Sequence, residues 1–131
     1  MDSESVRGAT TYKTRAQQGR DFTGLRYGNI TPTDIDALIE YQDKCYIFIE
    51  AKKTGAQMPY GQRIALERLC DDLQRVKPTI LILMTHNTNA NQEIDFANSL
   101  VDKYRYKGEW KTPQNVPTVK MLIDSFLKGI K

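Results

Sequence analysis

The run TILILMTH, Thr79–His86, constrains this chain more than any other stretch. An extended segment apolar on both faces is a central strand covered on both sides, not the half-wet strand of a meander. The helices to cover it are legible nearby. From Tyr60, the residues Ile64, Leu66, Leu69, Leu73 and Val76 recur at helical spacing, and Lys77-Pro78 ends that helix. Near the end, TVKMLIDSFLKGI gathers Val119, Leu122, Ile123, Phe126 and Leu127 on one helical stripe.

Two alternating stretches precede the first of these helices. Residues 34–41 alternate Ile35, Ala37, Ile39 and Tyr41 against Asp34, Asp36, Leu38 and Glu40. Residues 45–52 alternate Ile47, Ile49 and Ala51 against Tyr46, Phe48, Glu50 and Lys52. Gln42–Lys44, "QDK", is a hairpin-length link between them. SLVDKYRYKGEW reads as one further strand, with Leu100, Asp102, Tyr104 and Tyr106 on one side. TYKTRAQQG, residues 11–19, reads as a short helix ended by Gly19, and the first ten residues as a flexible lead. The expected order is helix, strand, strand, helix, strand, strand, helix. That is an α/β chain whose hairpin feeds a helical crossover into the buried strand.

Bulk properties narrow the class. A length of 131 residues suits a single domain, 1–131, with a real core. The net charge of +3 permits an anionic partner without requiring one. No apolar run approaches the ~20 residues that span a membrane, and the N-terminus has no signal-like apolar stretch. The expectation is a protein of the cytoplasm, with no membrane partner. Cys45 and Cys70 lack metal-site spacing and read as buried free thiols. His86 is the single histidine, and nothing near it suggests a nucleophile device. The glycine-rich phosphate loops and the H-E-x-x-H zinc motif are absent.

What stands out is charge on strands that should serve a core. With a three-residue loop, Tyr41 pairs with Cys45, which sets Asp36 opposite Glu50 and Asp34 opposite Lys52. Opposed residues project to one side with Cβ atoms ~5 Å apart. A loop longer or shorter by two, or a bulge, would exchange Asp34 for Asp36. Two carboxylates that close repel each other and are costly to bury. Lys52 offers one compensating charge, and a hard divalent cation such as Mg²⁺ would offer more. The plain alternative is a solvated salt-bridge cluster at a strand end, contributing ~0–1 kcal/mol.

The pattern DID, followed after fourteen residues by EAK on an apolar strand, resembles the PD-(D/E)xK nuclease superfamily. The matched segment is ITPTDIDALIEY…YIFIEAK, about twenty residues with their hairpin. The resemblance implies a restriction-endonuclease-like αβββαβ core, a central mixed sheet flanked by helices. It implies Mg²⁺ dependence, with Mn²⁺ able to substitute, and hydrolysis of DNA. Asp36 or Asp34 and Glu50 would hold the metal, with the Ala51 carbonyl completing the sphere and Lys52 assisting the attacking water. Gln62, on the helix after the motif, would face the site. Gln17, Gln18 or Asp21 would reach it from the first helix region. Lys53, Arg20, Arg26, Tyr60 and Arg63 are the candidate nucleic-acid contacts, with Lys13, Arg15 and the KYRYKGEW stretch as further basic surface. The small size suits a phage or mobile-element enzyme, and a homodimer where both strands are cut. The alternative is a catalytically silent member that only binds nucleic acid or a protein partner.

Overall fold

The structure, a computed structural model, describes residues 19–131, in two units: 19–32 and Thr33–Lys131. The candidate helix at 11–19, with Lys13, Arg15, Gln17 and Gln18, lies outside the described residues except for Gly19. The 19–32 unit holds a 3-10 turn, Thr23–Leu25, and an isolated bridge between Tyr27 and Ile30. Asp21 accepts the Thr23 N–H at 2.9 Å, just ahead of that turn.

Thr33–Lys131 is an α/β unit. Its strands are β1 (Ala37–Tyr41), β2 (Cys45–Lys53), β3 (Thr79–His86), β4 (Leu100–Tyr106) and β5 (Glu109–Lys111). Its helices are α1 (Tyr60–Gln74), between β2 and β3, and α2 (Val119–Lys128), after β5. The sheet runs in the order β1-β2-β3-β4-β5 and is mixed, because only β2 and β3 are parallel. A parallel neighbour needs a crossover, and α1 supplies it. Among the described residues no helix is long and apolar enough to cross a membrane.

β3 is the covered central strand that its apolar run predicts. Ile80 and Ile82 pack with Ile47, Ile49 and Met84 on the side lined by Leu122, Ile123 and Phe126 of α2. Leu81 packs with Phe48, Leu66 and Cys70 on the α1 side. Cys45 and Cys70 are both buried and free. The hairpin register is the one the loop length requires, Tyr41 opposite Cys45 and Ala37 opposite Ile49. Gln42 and Asp43 both take positive φ, as a type I′ turn demands.

Two expectations are corrected. The first strand starts at Ala37, not Asp34, because the Asp36 N–H goes to the Glu50 side chain instead of a ladder carbonyl. As the edge strand, β1 also leaves Leu38 52% exposed and Ile35 and Ile39 partly so, and its alternation therefore marks no buried face. The second correction is that SLVDKYRYKGEW is a hairpin, not one strand. Lys107 and Gly108, both at positive φ, form the turn from β4 into β5. Glycine makes the second of those positions free of strain.

Candidate active site

β1 stops at Ala37, beside Ile49, but β2 continues through Glu50, Ala51 and Lys52 to Lys53. Over that extension β2 still pairs with β3, Glu50 beside Leu83 and Lys52 beside Thr85. On the β1 side the ladder has ended, and Asp36 fills the gap. The Ala51 N–H donates to Asp36 Oδ2 at 2.8 Å, and the Asp36 N–H donates to Glu50 Oε2 at 2.7 Å. A residue in a strand directs its N–H and C=O to the same neighbour. The Ala51 carbonyl therefore faces the same gap as Asp36. This is the carboxyl end of two parallel strands, the end at which open α/β sheets bind ligands.

Glu50 shares the α1 side of the sheet with Phe48, two residues before it. Helix α1 reaches it through Gln62, whose Nε2 donates to Glu50 Oε1 at 2.9 Å. Glu50 is 3% exposed. Both its oxygens accept from neutral donors, and no cation pairs with it among the described residues. Burial pushes its carboxyl up to about 7. The Asp36 N–H opposes that shift, while the charges of Asp36 and Asp34 add to it. Each carboxylate oxygen has two lone pairs, so those accepting one protein hydrogen bond can take another partner.

Lys52 follows Glu50 onto the α1 side, as alternation requires, but its ammonium is held elsewhere. Lys52 Nζ lies 3.0 Å from Asp102 Oδ2, on β4. Nothing in the motif or its spacing points to that aspartate. The signal was available in LVDKYRY: Val101 and Tyr104 both join the core though three residues apart, which strict alternation forbids. The β3–β4 register slips between Leu83 and Met84, opposite Lys103 and Val101, and leaves Asp102 as the extra residue.

The other candidates each have local contacts of their own. Tyr60 opens α1 with 72% of its surface exposed, and the Arg63 guanidinium lies over its ring at 5.3 Å. Arg63 also pairs with Glu67 at 2.9 Å. Lys53 Nζ donates to the Thr88 carbonyl at 2.8 Å. Arg20 and Arg26 belong to the 19–32 unit, where Arg20 lies over Phe22 and Arg26 donates to the Gly28 carbonyl. Asp36, Glu50 and the Ala51 carbonyl are the oxygen donors at the gap. Among the described residues no three His, Cys, Asp or Glu side chains are grouped as a metal cage. No family model matches the chain, and no curated protein and no solved structure is significantly similar to it.

Proposed function

We propose that this protein is a metal-dependent DNA endonuclease of the PD-(D/E)xK type, hydrolysing phosphodiester bonds at the Asp36–Glu50 gap. The observation that carries the reading is the buried Glu50, without a cation partner among the described residues and tied to Asp36 at the carboxyl end of β2. A fold that retains such a carboxylate beside other acids has a use for it, and perturbed acids cluster at functional sites. The succession of hairpin, crossover helix and parallel strand supports a restriction-endonuclease-like core.

Mg²⁺ fits this donor set. It commonly takes one or two protein carboxylates and fills its remaining positions with water and phosphate oxygens, so a three-acid cage is not needed. Asp36 and Glu50, with the Ala51 carbonyl, would hold it. Bound there, it would supply a polarised phosphoryl oxygen and an acidified water. Gln62 and the Asp36 N–H fix the Glu50 carboxylate in place. Lys52 offers a positive charge on the same side of the sheet for the water or for charge developing on the phosphate. Lys53 and Arg63 would neutralise phosphates with little sequence selectivity, and Tyr60 would offer a hydroxyl and a ring to the same strand; Arg20 and Arg26 are the basic candidates of the other unit. Cutting both strands of a duplex calls for a homodimer, since one chain of this size presents one site.

The test is cleavage of supercoiled plasmid, branched DNA and single strands with EDTA, Mg²⁺ or Mn²⁺, beside Lys52→Ala. Product that needs the metal and is lost in the variant supports the reading. DNA that is shifted on a gel but never cut leaves only the silent, binding-only reading.

A further inference from the structure

We propose that Asp102 is the positioning residue for Lys52, brought to it by the bulge in β4. This rests on the phosphodiesterase reading for its catalytic consequence, but not for the contact itself. Counted back by two from Tyr104, a regular strand would turn Asp102 toward the α2-side core, where Met84 is fully buried. A carboxylate there would have no partner and a large desolvation cost. The extra residue removes that conflict. Val101 takes the core position beside Met84, and Asp102 is released toward Lys52. The next residue, Lys103, turns the same way, with its ammonium 4.8 Å from the Trp110 ring, which packs on the α1 side.

The ammonium of Lys52 sits on a long, flexible stem, and neither Asp36 nor Glu50 is its hydrogen-bond partner. Asp102 supplies what fixes it. The Asp102 side chain is 40% exposed and the Lys52 side chain 22%, so the pair is partly open to solvent. A charge stabilises a transition state only if it is held where charge develops. Asp102 thus acts through Lys52 and touches no substrate.

The experiment compares wild type with Asp102→Asn and Asp102→Glu, using plasmid DNA with Mg²⁺ and, separately, NMR of the Lys52 side-chain ammonium. The expected result is roughly a 10-fold loss of kcat in Asp102→Asn with KM unchanged, as when an outer hydrogen-bond partner of a site is removed. Asp102→Glu restores most of it. The ordered Lys52 ammonium signal is present in wild type and absent in Asp102→Asn, with the backbone spectrum otherwise unchanged. Wild-type kcat in Asp102→Asn, or a loss of kcat with the ammonium signal intact, overturns the proposal. Should wild type cut no DNA, the nuclease reading fails, and the ammonium signal alone decides whether Asp102 holds Lys52.

Discussion

Two groups of acids lie between helix α1 and the sheet, one carried by the helix and one by β2, and they are treated in opposite ways. Toward the middle of the helix, Glu67 accepts from Trp110 Nε1 at 2.6 Å and from Arg63 at 2.9 Å. Asp71 takes two hydrogen bonds from Arg105, at 2.9 and 2.7 Å. Burial alone would push the Glu67 carboxyl up, but the Trp110 and Arg63 hydrogen bonds and the Arg105 charge outweigh it, and its pKa is lowered. At the start of the helix, Gln62 meets Glu50, where the donors are neutral and burial prevails. The first group is a clamp that fastens the β4–β5 hairpin to α1. The second is an acid kept in a costly state by its surroundings. The acids of the first group meet cationic partners, and Glu50 meets none among the described residues.

The largest expected effect separates the two groups by activity. Glu50→Ala should reduce metal-dependent cleavage by ~10³-fold or more, the scale at which a main stabilising group is lost. Single-turnover kinetics with a folding check would show it, and residual activity near wild type would break the comparison. Trp110→Ala should do the reverse. It removes packing against Lys103 and Arg105 and the indole donor to Glu67, and should cost about 3 kcal/mol in urea unfolding while cleavage persists at low temperature.

The third prediction concerns pH. Glu50 has a folded pKa of about 7, above its unfolded value. Below the unfolded pKa both states hold the proton and nothing is lost. As pH rises toward 7, the unfolded chain releases its proton first, so wild-type stability falls and then levels off. Glu50→Gln removes the charge, and the Gln62 amide can turn its oxygen to the new NH₂ group. Relative to wild type, that variant should gain roughly 3 kcal/mol between pH 4 and pH 8. Urea titrations at the two pH values check it, and a pH-independent difference would show that Glu50 is not strained by its charge. The smallest effect belongs to Gln62→Ala, about 1 kcal/mol for one lost hydrogen bond and about a 10-fold slower cleavage.

The parts of this design that depend on short-range periodicity were legible in the sequence. Alternation and a three-residue loop were enough to set Tyr41 opposite Cys45 and to bring Asp36 to Glu50. The apolar run of β3 and the α1 residues Leu66, Leu69 and Leu73 were legible in the same way, whereas Val76, read into that stripe, lies past the end of the helix and is 75% exposed. The parts that escaped depend on hydrogen bonds or on partners far along the chain. β1 ends early because a side chain, Glu50, captures a backbone N–H that a ladder would otherwise use. The β4–β5 hairpin hides in an unbroken alternating stretch, with Lys107-Gly108 as its one turn signal. Asp102 meets Lys52 across β3, after a one-residue slip that no regular pattern contains.

Whether Asp36 and Glu50 hold a metal is tested most directly by Mn²⁺ binding, followed by electron paramagnetic resonance at pH 8. Wild type and variants at each acid group would be compared without DNA. The expected result is a site in wild type that is lost in Glu50→Gln and in Asp36→Asn but retained in Glu67→Gln. Equal binding by Glu50→Gln, or no binding by wild type at millimolar metal, would contradict it.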